Sequence, residues 1–151
     1  MNETRKSPAK SARRRSRELA IQGIYQWRLT GVDLAQVEKQ MREEKNLGNY
    51  DAKFFGELLR GVLMQHTDIE AAIAPHLDRP LGELSPVELA VLLLAAYELL
   101  QHPEIPYRVI INEAVELAKT FGGTDGFKYV NGVLDKLAGS LRQVEARRAA
   151  R

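Results

Sequence analysis

The residues best suited to bind a ligand are four arginines near the start of the chain. Arg13, Arg14, Arg15 and Arg17 stand in the stretch SARRRSRELAIQGIYQW, directly before an apolar helical stripe. Guanidinium groups bind phosphate oxygens through charge and paired hydrogen bonds. At the start of a helix, positive charges oppose the helix dipole, at a cost of roughly a few tenths of a kcal/mol each. We therefore predict that this cluster binds a polyanion such as nucleic acid.

The distribution of charge along the 151 residues supports the same prediction. Residues 1–17 hold seven Lys and Arg against one acid, and residues 142–151 hold four Arg against one acid. The body between them is acidic, with eleven basic and eighteen acidic residues. Basic ends on an acidic body indicate a polyanionic partner. We predict a disordered basic tail at 1–10, a folded domain at 11–141 and a basic C-terminal tail at 142–151.

The basic start allows two further interpretations. It could be a solvated tail without a ligand, which we prefer for the first ten residues. A mitochondrial presequence would also be rich in Arg and Ser and poor in acids. Against a cleaved segment, the apolar residues between Ala20 and Trp27 follow helical spacing and are typical of a core.

Other candidates for chemistry are weak. His66, His76 and His102 lie far apart in sequence and lack a second ligand at metal spacing. The loop FGGTDGFK lacks the GK[ST] ending of a phosphate-binding loop, so its glycines indicate a helix stop. The chain has no cysteine, which excludes thiolate catalysis and disulfides. We expect no enzymatic activity, no cofactor and no metal.

The pattern predicts helices throughout and no strand. The apolar run LAVLLLAAY is shorter than the ~20 residues of a membrane span, so it predicts a buried helix and a cytoplasmic protein without membrane contact. Ser85, Pro86 and Glu88 form the sharpest helix start, and Thr67 with Glu70 predicts another. We predict an all-α, single-domain bundle of about seven helices.

Four stretches, taken together, are specific enough to indicate a protein family: ARRRSRELAIQGIYQW, ELAVLLLAAYEL, IPYRVIINEAVELAK and YVNGVLDKL. In order and spacing they resemble the NusB family of transcription antitermination factors, strongly over residues 12–30 and 81–138 and in pattern only over 31–80. The resemblance implies an RNA-binding protein that pairs with NusE, a small ribosomal subunit protein, on the boxA element of nascent ribosomal RNA. It further implies the RNA polymerase antitermination complex as a partner, and it leaves open a homodimer.

The resemblance also implies site residues. RNA contacts are expected at Arg13, Arg14, Arg15, Arg17, Asp125, Lys128 and Tyr129. Glu83 and Glu88 fall in the region that resembles the NusE-binding face, although Glu88 is equally well explained as a helix-capping residue. The chain departs from the family at Leu93, where many members have Arg, and at Gly126 and Phe127, where a polar run is commoner.

Tyr129 has two interpretations. It lies about 160° around its helix from Phe127, which belongs to the predicted buried stripe, and so it is expected near the surface. There it could stack on an unpaired base. Alternatively it packs against Val133, one turn later.

Two rival functions remain. NusB-like domains also resemble the N-terminal part of some ribosomal RNA cytosine methyltransferases, so the chain could be the substrate-binding part of an enzyme. It could also be a purely protein-binding helical module whose basic ends only aid solubility.

Overall fold

The chain folds as a helical bundle around one hydrophobic core in a computed structural model that describes residues 8–122 and 125–142. These residues form six α-helices and two short 3-10 turns, at Ala74–His76 and Leu81–Glu83, with no strand among them. The helices are α1 (Pro8–Thr30), α2 (Leu34–Glu43), α3 (Ala52–Ile73), α4 (Pro86–Gln101), α5 (Tyr107–Phe121) and α6 (Gly126–Leu141). The predicted all-α class is confirmed, with one helix fewer than expected.

α3 explains the difference in helix number. The predicted helix start at Thr67 was wrong, because α3 continues through it with one non-helical residue, Gln65 (φ −116°, ψ 15°). The chain therefore bends at this place instead of beginning a new helix. Glu70, the predicted capping residue, lies 3.1 Å from His66 Nδ1 and 3.5 Å from Arg28 Nη1.

α4 forms the centre of the bundle, as its apolar sequence predicts. The backbone N–H of Glu88 donates to Ser85 Oγ (3.1 Å) and Pro86 lies in the first turn, so the predicted helix start is confirmed. The helix packs against α1, α3, α5 and α6, and residues 89–99 are all buried. Leu93 is completely buried, so the position at which the resembled family often has Arg lies inside the core.

Contacts along α1 define the direction of the helices. Ser16 bonds to the backbone at Asp51, just before α3, while Arg17 bonds to Glu98 near the end of α4. α1 and α3 are therefore parallel and α4 is antiparallel to both, and α6 begins beside the start of α4. We call the end with the Arg17–Glu98 pair the arginine end, and the end with the starts of α4 and α6 the opposite end.

Arg142 closes the arginine end. Its guanidinium donates hydrogen bonds to the carbonyl oxygens of Leu99 (3.0 Å), His102 (2.9 Å) and Ile105 (2.9 Å). The last carbonyls of a helix lack partners within the helix, so these bonds cap α4. Arg142 therefore belongs to the folded domain, which corrects the predicted boundary of the C-terminal tail.

The remaining parts of the two predicted tails fall largely outside the described residues. α1 begins at Pro8, so the helix includes the last three residues of the segment predicted as a disordered tail. Residues 1–7 and 143–151 lie outside the described residues. The division into tails and domain stays a prediction there.

The packing of α3 on α4 depends on a glycine. A β-carbon at Gly61 would overlap the ring of Tyr97, whereas Gly56 on the same helix has open space at that position. We expect Gly61→Ala to lower the free energy of unfolding by about 1–3 kcal/mol, because the overpacked ring must shift. Gly56→Ala should raise it by roughly 0.5–1 kcal/mol, because alanine loses less backbone entropy in a helix.

Urea unfolding followed by circular dichroism measures both variants. Equal stabilities of Gly61→Ala and Gly56→Ala would contradict the close contact between α3 and α4.

Candidate nucleic-acid interface

The arginine cluster does not occupy the N-terminus of its helix. α1 begins at Pro8, so Arg13 to Arg17 lie in its second and third turns. Because the helix dipole acts mainly within the first turn, the unfavourable charge placement that we predicted does not exist. The cluster must therefore be judged residue by residue, from its contacts.

Arg17 lies inside the bundle and is only 5% exposed. Its Nε and Nη2 donate to the two carboxylate oxygens of Glu98 at 2.9 and 2.8 Å, and its Nη1 lies 3.9 Å from Glu113 Oε1. The guanidinium also lies 5.1 Å from the centre of the Phe54 ring. The predicted RNA contact is replaced here by a structural role, in which Arg17 joins α1 to α4 and α5.

Arg14 also bonds to the bundle but remains partly exposed. Its Nε and Nη2 donate to Glu113 Oε1 and Oε2 at 2.9 and 2.6 Å. This hydrogen-bonded pair raises the pKa of Arg14 above its usual value, so the guanidinium stays charged. The side chain is 28% exposed, so one edge can still reach a phosphate.

Arg13 and Arg15 reach furthest into solvent. Arg13 is exposed, and its guanidinium stacks on Phe54 at 4.3 Å from the ring centre. Stacking on a ring leaves the N–H edges of a guanidinium free to bind phosphate oxygens. Arg15 Nε donates to the Leu47 carbonyl (2.6 Å) and its Nη1 to Glu18 Oε1 (2.9 Å). Arg13 is therefore the strongest phosphate-binding candidate at this end, supported by Arg14 and Arg15.

Tyr129 lies at the opposite end, half-buried at the start of α6. The guanidinium of Arg79 covers one face of its ring, 4.6 Å from the ring centre, and the backbone N–H of Asp78 donates to its hydroxyl at 3.4 Å. Burial is the main cause that raises the pKa of Tyr129. The ring is thus neither fully exposed nor fully buried, and it forms a stacked pair with Arg79.

Arg79 was not found by sequence reasoning. It lies between the two 3-10 turns, 50 residues before its aromatic partner, and no local pattern links them. Its side chain is 42% exposed and bonds to Asp78 Oδ1 at 2.9 Å, which lowers the pKa of Asp78. Because a guanidinium plane can stack on an unpaired base, Arg79 extends the platform of Tyr129.

Asp125 and Lys128 flank the start of α6 and are both well exposed. Lys128 Nζ lies 3.5 Å from Asp125 Oδ1, an exposed pair that contributes little to stability. Asp125 is the residue before the first turn, and its side chain makes no capping bond. Lys128 can therefore exchange its partner for a phosphate at little cost.

The predicted RNA-contact residues form two groups, not one cluster. Arg17 marks the arginine end at Glu98, and Gly126 marks the opposite end at Glu88. These two glutamates are ten residues apart on α4, or about 15 Å at the rise of an α-helix. A polyanion that contacts both groups must run along the bundle.

Glu83 and Glu88, the predicted partner-binding residues, differ in their surroundings. Glu83 is exposed, in the 3-10 turn before α4. Glu88 is half-buried and points at the start of α6, where its Oε2 would lie 2.8 Å from a β-carbon at position 126. A side chain at position 126 would therefore require the flexible Glu88 carboxylate to shift. Phe127 beside it is partly buried against the core, under the ammonium of Lys119 at 4.9 Å.

An apolar groove of about 460 Å³ lies at the same end, and its lining includes Val87, the residue before Glu88. Its walls include Tyr25 and Leu29 of α1, Val87 of α4 and Phe121 of α5. Tyr25 and Leu29 are among the exposed large hydrophobic residues of the described chain, with Leu29 54% exposed. Exposed apolar side chains that line a groove are typical of a protein-binding surface.

The histidine candidates have structural explanations where contacts are described. His102 Nε2 lies 2.8 Å from Glu57 and Nδ1 lies 2.6 Å from Glu104. Burial alone would lower the pKa of His102, but these hydrogen bonds outweigh it and raise the pKa. The ring of His66 packs on Trp27 at 4.8 Å. In residues 8–122 and 125–142 no group of acidic or histidine side chains could hold a metal ion.

Over the described part of the chain, no helix combines the length and apolar character required to cross a bilayer. α4, the most apolar helix, is instead enclosed by four others.

The sequence of the chain is similar to those of known proteins. A model of the NusB family matches residues 14–139. The chain is 57% identical over 136 residues to the transcription antitermination protein NusB of Nitrosomonas eutropha, covering 90% of this chain and 81% of that protein. It is 58% identical over 142 residues to that of Paraburkholderia phymatum, covering 94% and 98%.

Solved structures of NusB proteins have the same fold as this chain. NusB of T. maritima superposes with a TM-score of 0.74 at 35% identity, covering 83% of this chain and 89% of that one. A crystal structure of antitermination factors NusB and NusE in complex with dsRNA gives a TM-score of 0.76 at 27% identity, covering 84% and 96%. Fold and sequence thus define an all-helical bundle with a basic end. The chain belongs to the NusB family.

The structural role of Arg17 can be tested by removing one or both charges of its pair. Arg17→Met should lower the free energy of unfolding by about 3–5 kcal/mol, because it leaves Glu98 buried and uncompensated. The double variant Arg17→Met/Glu98→Leu should recover most of that loss, because no lone charge remains. Urea unfolding of both variants and the wild type gives the comparison, and a stable Arg17→Met single variant would contradict the structural assignment.

Proposed function

We propose that this protein is an RNA-binding transcription antitermination factor that acts with NusE on the boxA element of nascent ribosomal RNA. In this proposal the two proteins and the RNA join the RNA polymerase complex and help it resist termination. The protein contributes binding and positioning, and it performs no chemical step.

The observation that carries the proposal is that one bundle presents an exposed arginine side chain at one end and a stacked arginine–tyrosine pair at the other. Arg13 presents an exposed guanidinium, stacked on Phe54, at the arginine end, and Arg79 with Tyr129 presents a stacking platform at the other. Charges that bind phosphates and planar groups that stack on bases are the two requirements for binding single-stranded RNA. The proteins with which the chain shares 57–58% identity are named transcription antitermination proteins, which supports the same function.

The apolar groove supports the pairing with a protein. It lies at the opposite end, where Val87 near the start of α4 forms part of its wall, and so leaves the arginine end free for RNA. A NusB structure with the same fold contains NusE and dsRNA together, so one bundle of this kind accommodates both partners. We therefore assign NusE to the groove, and we place Glu83, exposed in the turn before α4, on the same partner surface.

The two rival functions are less well supported. The relatives that match over most of their length are named antitermination proteins, which disfavours the methyltransferase interpretation. A purely protein-binding module would not need the exposed guanidinium of Arg13 or the stacked pair of Arg79 and Tyr129. RNA binding by the wild type separates this module from the proposed function.

The proposed RNA contacts are of two kinds, phosphate binding and base stacking. The salt dependence of RNA binding distinguishes them. Arg13→Gln should weaken binding of boxA RNA and reduce the slope of log Kd against log salt by about one counterion. The same change at Arg60, exposed on α3 and paired with Glu38, should leave both unaffected. Tyr129→Ala should weaken binding about tenfold at constant slope, because a stack releases no counterion, while Tyr129→Phe should bind like the wild type.

Filter binding at several salt concentrations, in the presence of NusE, measures all four variants. Circular dichroism confirms that each is folded. Wild-type affinity for Tyr129→Ala, or an unchanged slope for Arg13→Gln, would refute the assignment of that residue.

The partner surface can be tested by charge reversal. Glu83→Lys should weaken NusE binding at least tenfold, because the exposed charge lies at the edge of the proposed interface. Glu43→Lys, an equivalent change at the exposed end of α2, serves as the matched control. Calorimetric titration with NusE gives both dissociation constants, and equal values for the two variants would remove Glu83 from the interface.

A further inference from the structure

The seam between α5 and α6 holds a polar notch that neither the arginine cluster nor the groove uses. It has a volume of about 230 Å³ and is lined by Tyr107, Arg108, Ile111, Asn112, Asn131 and Asp135. Clefts for drug-sized ligands measure ~300–1,000 Å³, so the notch suits a single ring system.

Three polar side chains line the notch. Asn112, Asn131 and Asp135 are exposed, and the structure gives none of them a hydrogen bond or ion pair with another described residue. Ile111 is buried and forms an apolar floor, and the ring of Tyr107 forms a wall. Two amides and a carboxylate around an apolar floor can bind the polar edge of a planar ligand.

The notch lies between the two groups of proposed RNA contacts. Lys128, Asn131 and Asp135 follow each other at spacings of three and four, so they form a row along one face of α6, about 10 Å long. Arg108, in the first turn of α5, continues this row toward the arginine end. An RNA strand that runs along the bundle from Lys128 to Arg13 can therefore pass over the notch.

We propose that the notch binds one unpaired guanine of that RNA strand. This inference rests on the proposed RNA-binding function. Guanine presents two adjacent N–H donors, N1–H and the 2-amino group, and the two oxygens of Asp135 accept both. The amides of Asn112 and Asn131 bond the remaining polar atoms of the base, and Arg108 binds the adjoining phosphate.

A titration with mononucleotides tests the notch without relying on RNA binding. The probes are GMP, inosine monophosphate, which lacks the 2-amino group, and AMP, added to the full 15N-labelled chain. GMP should shift the side-chain amide signals of Asn112 and Asn131 at lower concentration than inosine monophosphate, and AMP should not shift them. Equal responses to all three probes, or no response to GMP, would overturn the proposal.

A substitution tests the notch within the RNA complex. Asp135→Asn should weaken the binding of a guanine-containing boxA RNA about tenfold, as expected for the loss of a bidentate base contact. The same variant should bind a guanine-free RNA as well as the wild type or better, because a negative charge near the phosphates is removed. Asp68→Asn, exposed on α3, is the matched control and should change neither affinity.

The two sets of results separate failure of this inference from failure of the proposed function. If the wild type binds RNA but Asp135→Asn affects both RNAs equally, the guanine site is wrong and the RNA-binding function stands. If the wild type binds no RNA, the proposed function fails, and the GMP titration alone decides whether the notch binds guanine.

Discussion

The ion pair between Arg17 and Glu98 is the interaction on which the arrangement of the arginine end depends. Both side chains are almost completely buried, and burying a charge is costly unless a partner satisfies it in good geometry. Two parallel hydrogen bonds between the guanidinium and the carboxylate meet this condition for one relative position of α1 and α4. The pair thereby fixes the rotation and the height of α1 on the bundle.

The exposed arginines follow from that fixed position. Arg13 lies one turn before Arg17 on the same side of α1, and both guanidiniums lie over Phe54. The C-terminal part of α4 encloses Arg17. Arg13 lies one turn earlier on α1, beyond this enclosure, and reaches the surface. Glu113 holds Arg14 in the same way from α5. One sequence motif thus contains a structural residue, two residues with divided roles and one residue open to a ligand.

The fold was largely predictable because its signals are local. Ser85 and Pro86 predicted the start of α4 since a cap and a first-turn proline act within a few residues. The prediction at Thr67 failed because the same local signal does not distinguish a helix start from a bend in a longer helix. The all-α class was predicted from helical periodicity along the chain. One misplaced helix start does not change that periodicity.

The site was predictable only in part, because its contacts join distant segments. Arg17 has the same type and spacing as its exposed neighbours, and only Glu98, 81 residues later, makes it a core residue. No sequence pattern predicts that Arg79 stacks on Tyr129. None predicts that Asn112 and Asp135 line the same notch. Residue type predicted what each side chain can bind, and tertiary packing decided which of them are free to do so.

The central claim is that one RNA strand runs along the bundle and contacts both of its ends. Amide signals of the 15N-labelled protein, recorded during titration with boxA RNA, test it directly. The account predicts that signals of α1 around Arg13 and signals of the first turn of α6 around Tyr129 shift together, with one common dissociation constant. Shifts confined to one end, or two different dissociation constants, would contradict it.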